Sequence, residues 1–198
     1  MSEGLDPLAV ARFNQLYKRG WKLSRSYMLF GAGGRKAPLN WWAKWRLRRA
    51  IASFQDALSI VPESWQSLWA LGKIHQRLGN ALDASKSFAA AYRVNPEEVD
   101  VAREAAIAAL NLGHPDEALV YTRTALRHAP SDAGLMANLA VSLILLDDTR
   151  GALDAVNAAR RLDPGDHLTQ GLAAHIAEVV AGRRPLPKTM RDLERALS

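Results

Sequence analysis

An all-α solenoid of repeated helical units is the fold this sequence predicts, and two observations predict it. Prolines recur at Pro62, Pro96, Pro130 and Pro164, each 34 residues after the last. The residues before them recur in step, with alanines twelve positions earlier at Ala50, Ala84, Ala118 and Ala152 and five positions earlier at Ala57, Ala91, Ala125 and Ala159. A fixed period of this length marks a stack of supersecondary units, and a small residue at each recurrence lets two helices approach closely where their axes cross. A chain of 198 residues, 48% of them hydrophobic, suffices for one core or for a short stack of this kind.

Residues 1–62 form an N-terminal basic and aromatic unit. Leu8, Phe13, Leu16, Tyr17, Trp21, Tyr27 and Met28 fall near helical spacing and predict a helix over about 6–29. "GAGGRKAP", residues 31–38, predicts an enlarged loop in which glycine serves positive φ angles. "RLRRAIASFQDALSIVP" then predicts the helix that pairs with the first.

The middle region, 63–166, holds three copies at about 65–98, 99–132 and 133–166. The clearest is "WQSLWALGKIHQRLGNALDASKSFAAAYRVNP", Trp65 to Pro96. It resembles the tetratricopeptide repeat family through Leu68, Leu71, Gly72, Ala84, Phe88, Ala91 and Pro96, with His75 where an aromatic is usual. The second copy keeps Ala102, Ala105, Ala106, Gly113, Ala118, Ala125 and Pro130; the third keeps Met136, Asn138, Leu139, Ala140, Ala152, Ala159 and Pro164. The third copy departs at Asp147, where a turn glycine is usual, and this puts its inter-helix turn in question. Ala50, Phe54, Ala57 and Pro62 match the second helix of a repeat whose first helix is out of register. The resemblance implies a right-handed solenoid of antiparallel helix pairs with an atypical N-terminal unit. In region 167–198, "DHLTQGLAAHIAEVVAG" predicts an Asp166-capped helix stopped at Gly182, which covers the last apolar face. A linker, "RRPLPK", leads to a short terminal helix ending in "MRDLERALS".

Composition narrows the chemistry. The absence of cysteine excludes disulfides, thiolate catalysis and cysteine-ligated metals. No apolar run approaches the ~18 residues of a membrane span, and "MSEGLDPLAV" lacks a signal-peptide pattern, so the expectation is a cytoplasmic protein, with peripheral attachment at a membrane as the variant. The net charge of +6 is uneven: residues 1–62 carry +8 and residues 63–198 carry −2. Such asymmetry favours an acidic partner, an anionic lipid surface or nucleic acid at the N-terminal end. "GAGGRK" follows a helical pattern rather than a strand and lacks a G-K-[ST], so it does not read as a phosphate loop. His75, His114, His128, His167 and His175 show no ligand spacing. Carboxylates gather in turns and first helical turns, where capping explains them. The expectation is therefore a protein without catalysis, metal or cofactor.

In the family, first helices line a concave groove, and the resemblance implies that Gln66, Trp69, Lys73, Gln76 and Arg77 face it in the first copy. The corresponding residues are Asp100, Arg103, Ile107, Leu110 and Asn111 in the second copy and Gly134, Ala137, Val141, Ile144 and Leu145 in the third. The groove then runs from polar and basic to apolar, and an apolar end suits a hydrophobic side chain or an amphipathic helix. The chain's own C-terminal helix, or a second copy in a homodimer, is the competing occupant. Asn138 matches the asparagine that in peptide-binding members bonds a ligand's backbone, while Ala70 and Glu104 hold the equivalent sites.

On a helical wheel with Leu47 at zero, Ala50, Ile51, Phe54, Ala57 and Leu58 cluster within about 60° of one side, whereas Trp41, Trp45 and Trp42 fall near 120°, 160° and 220° and Arg49 near 200°. Three aromatics do not normally stay in water, so the expectation is that residues 6–30 bury them. A basic aromatic surface of Trp41, Trp42, Trp45, Arg46, Arg48 and Arg49 is the alternative, facing a protein, a membrane interface or, ranked last, nucleic acid. The function expected is a protein–protein interaction scaffold: an adaptor, co-chaperone or assembly factor.

Overall fold

The computed structural model describes residues 6–28 and 38–197, and among these it contains ten α-helices and no strand. Of the predicted loop over 31–38, all but the last residue lies outside the described residues. Two compact units emerge, Met1–Asn95 and Pro96–Ser198.

In the first unit, α1 (Pro7–Ser24) packs against α2 (Trp41–Ile60), and α3 (Trp65–Leu78) against α4 (Ala81–Val94). The starts of α1, α2 and α3 follow from a side chain that satisfies an orphan backbone N–H. Asp6 accepts from Leu8, with Pro7 in the first turn; Asn40 accepts from Ala43 and Ser64 from Ser67. Both hairpins close on a glycine set against a phenylalanine. A Cβ on Gly72 would lie 2.5 to 2.8 Å from the Phe88 ring, and one on Gly20 would lie 2.8 to 2.9 Å from the Phe54 ring. Gly20 therefore stands in α1 where Gly72 stands in α3. Gly20 precedes Phe54 by 34 residues and Gly72 precedes Phe88 by 16, so the first hairpin is a repeat carrying 18 extra residues in its turn. Helix α1 is the partner that the sequence expectation assigned to α2.

In the second unit, α5 (Val99–Asn111) pairs with α6 (Pro115–His128) and α7 (Ala133–Leu145) with α8 (Thr149–Leu162); α9 (His167–Val180) packs on α8, and α10 (Met190–Leu197) ends the chain. The alanine register holds through both units: Ala50, Ala84, Ala118 and Ala152 are buried, as are Ala57, Ala91, Ala125 and Ala159. The departure at Asp147 does not undo its turn. Asp147 takes φ 66°, close to Gly79 at 83° and Gly113 at 81° in the matching turns, because a short polar side chain tolerates the left-handed region better than others do. Asp166 caps α9 through Leu168 and Thr169 as predicted, and Gly182 follows at φ 70°.

Candidate functional site

The candidate groove residues of the first unit gather around an aromatic ladder. Tyr17 and Trp21 of α1 meet the Phe54 ring edge-on, at 5.9 and 6.2 Å between centroids, and Trp21 stacks on Trp69 at 6.4 Å. The Lys73 ammonium lies 5.8 Å above the Trp69 ring, a cation–π arrangement that accompanies burial of its stem. Gln66, Gln76 and Arg77 are half-buried beside them. Tyr17 and Trp21 join this cluster, whereas the sequence places them only by their helical spacing in the first helix. The signal that finds them is a recurring Leu-aromatic-x-x-Gly: Leu16, Tyr17 and Gly20 repeat Leu68, Trp69 and Gly72.

The candidate residues of the second unit do not form an open surface. Arg103 is committed within the fold, with its guanidinium 3.0 Å from Asp132 and 3.6 Å from Asp100; Asp132 in turn caps α7 through Leu135. Leu110 is buried at 4% and Ile144 at 0% exposure. Helix α10 packs beside both. Met190 packs, as Val141 and Leu145 do, against the cluster that holds Ala106 and Leu110, and Leu193 is buried in the cluster of Ile144, Leu172 and Ile176. At the far end, Leu197 reaches to 3.9 Å from where a Gly171 Cβ would stand. The terminal helix thus lies across the first-helix faces of α5, α7 and α9. Ile107, Ala137, Asn138, Val141 and Leu145 stay half-buried, and Asp100, Asn111 and Gly134 are exposed.

Sequence explains why α10 can do this. Met190, Leu193 and Leu197 fall three and four apart on one face, with Arg191, Glu194 and Arg195 exposed on the other. Its start is fixed by a reciprocal cap, in which the Thr189 N–H donates to Asp192 at 3.0 Å and the Asp192 N–H donates to the Thr189 hydroxyl at 3.2 Å. Arg184 ties the linker down, donating to the Ala196 carbonyl at 3.3 Å and lying 3.4 Å from His175 Nδ1.

Burial, with the Arg184 charge second, holds His175 below its ordinary value of 6.5, and burial does the same for His75 against the opposing pull of Asp83. The unfolded chain therefore takes up these protons first, so stability is complete above about pH 6.5 and declines as pH falls through and below it. Acidification from neutrality is expected to lower the melting temperature, and His75→Gln with His175→Gln to flatten that slope; an unaltered slope in the double variant contradicts the assignment.

The tryptophans of α2 correct the expectation of burial. Trp41, Trp42 and Trp45 are 63%, 55% and 43% exposed. Helix α1 docks instead on the side of Ala43, Leu47, Ala50 and Phe54, and helical geometry holds the three rings off that side. Trp41 stacks on Trp42 at 3.9 Å between centroids, Trp45 meets Trp42 edge-on at 5.9 Å, and the Arg49 guanidinium lies 5.1 Å over Trp45. Arg48 and Arg49 are exposed. Arg46, half-buried, turns toward α1: it donates to the Lys22 carbonyl at 3.2 Å and lies over Tyr27.

Among the described residues no three His, Asp or Glu side chains gather as a metal site, and no helix is long and apolar enough to cross a membrane.

A family model described as tetratricopeptide repeat matches residues 42–99, 70–122 and 103–167. No curated protein matches the chain. Among solved structures, MamA from Desulfovibrio magneticus RS-1 (residues 41 to the end) superposes with a TM-score of 0.70 at 12% identity, covering 94% of this chain and 93% of that one. YrrB, described as a TPR protein with an unusual peptide-binding site, gives 0.64 at 21% identity over 78% of each chain. The first TPR of Spaghetti (RPAP3), bound to an HSP90 peptide, gives 0.56 at 14% identity over 60% of this chain and 94% of its own.

Proposed function

The chain belongs to the tetratricopeptide repeat family, and on that premise we propose that it is a non-catalytic adaptor or assembly factor whose second unit receives an amphipathic helix. One observation carries this reading: the face of α5 and α7 is apolar enough that the chain's own α10 lies on it through Met190 and Leu193. A partner helix with apolar residues three and four apart is the natural ligand, and it competes with α10 for Val141 and Leu145. Peptide binding by YrrB and by the RPAP3 domain supports a peptide-class ligand in the family. A co-chaperone role is the weaker branch of the proposal, because Ala70 and Glu104 stand where Asn138 would be repeated.

The test is a titration of isotope-labelled full-length chain with a peptide copying residues 188–197, a ready-made capped amphipathic helix. Amide shifts are expected on α10 and at Leu110, Val141 and Leu145, and Val141→Asp should abolish them. Shifts restricted to other faces would place the binding surface elsewhere.

A further inference from the structure

We propose that the start of α2 is a docking surface for the face of an anionic phospholipid bilayer, with Trp41, Trp42 and Trp45 entering the headgroup region and Lys44, Arg48 and Arg49 contacting lipid phosphates and carboxylates. The surface is distinct from the helix-binding face of α5 and α7 and stands without it.

Two independent observations carry the proposal. The first is the exposure of three adjoining indoles, already packed against one another in the free chain. A ring cluster held in place by a helix loses little side-chain freedom on binding, and indole, with an apolar body and an N–H donor, is the side chain most at home between water and acyl chains. The second is charge. Residues 7–55 contain eleven Lys and Arg and no Asp or Glu, so no acidic group along α1 or this part of α2 opposes an anionic plane. Helical spacing sets Lys44 and Arg48 along one border of the rings, and Arg49 stands over Trp45. Lys22 and Arg25, exposed at the end of α1, lie at the same end of the hairpin, because Arg46 bonds the Lys22 carbonyl. An amphipathic helix with aromatics centred and basic residues bordering them is the pattern of an interfacial segment.

The competing occupants fit less well. Single-stranded nucleic acid stacks its bases on open aromatic faces, and here Trp41 and Trp42 cover one face of each other. A protein partner would have to supply an acidic rim along the whole hairpin, which a phosphatidylserine surface supplies at any orientation.

The experiment is co-sedimentation of the full-length chain with vesicles of phosphatidylcholine and phosphatidylserine in equal parts, and with pure phosphatidylcholine, at low and high salt. Binding to the mixed vesicles alone is expected, with blue-shifted tryptophan emission quenched by brominated acyl chains. Trp41→Ala/Trp42→Ala/Trp45→Ala should weaken partitioning by roughly tenfold, and Arg48→Glu/Arg49→Glu by roughly tenfold or more at low salt. Since all five side chains are exposed, circular dichroism should be unchanged; if the triple variant misfolds, the charge reversal and lipid quenching decide. Absence of binding by the wild type overturns the proposal, as does binding that survives both variants. Tryptophan quenching by a single-stranded oligonucleotide without vesicle binding overturns it in favour of nucleic acid.

Discussion

Phe54→Ala is expected to destabilise the protein by about 3 to 5 kcal/mol, the range for deleting a buried aromatic ring. Phe54 is fully buried, receives the edges of Tyr17 and Trp21 and fills the space that Gly20 leaves open. Its loss removes the pivot on which α1 docks, so the transition measured by circular dichroism should fall and broaden. The Trp21 environment should change with it. A melting temperature within a degree or so of wild type would show that α1 is not held to α2 by this ring.

Gly72→Val carries the second large effect. A Cβ there already meets three Phe88 ring atoms at 2.8 Å or less, and valine adds two methyl groups toward the same ring. Overpacking of this kind costs about 1 to 3 kcal/mol, and the ring has no free side to retreat to, since Phe88 is fully buried. Helix propensity works the other way by only about 1 kcal/mol or less. The diagnostic is non-additivity: Phe88→Leu should be less harmful in the Gly72→Val background than alone, with a coupling of about 1 kcal/mol or more in a double-mutant cycle. Strict additivity would mean the glycine and the ring do not share one space.

The repeat was legible because its constraints are local and repeated. Alanines at fixed positions report close helix crossings, and all eight are buried. The turn at Asp147 shows a conformation outlasting its usual residue: the left-handed position is set by the hairpin, and aspartate is tolerated there. Gly20 escaped the reading because 18 extra residues move it out of the 34-residue frame, although Leu16, Tyr17 and Gly20 repeat the spacing of Leu68, Trp69 and Gly72.

The groove was legible only in half. Family positions say which side of a first helix is concave, but what covers that side depends on chain far away in sequence. Leu110 and Ile144 lie in clusters that Met190 and Leu193 join from the C-terminus, where the sequence expectation left the occupant open between the C-terminal helix and a second copy. The tryptophans at 41, 42 and 45 illustrate the opposite error. Helical spacing sets them away from the Leu47–Phe54 side, and the general cost of exposing indoles does not override it. Geometry prevailed, and the exposed rings are a surface that folding alone does not explain.

The most direct test of the helix-receiving face is the affinity of a fluorescent peptide, copying residues 188–197, for full-length chain carrying Met190→Asp and Leu193→Asp. With its own helix no longer competing, the variant should bind the peptide at least ~10-fold more tightly than wild type, since a site occupied by an internal ligand is available only in proportion to the open fraction. A variant that keeps its helicity yet binds no more tightly than wild type would contradict the account.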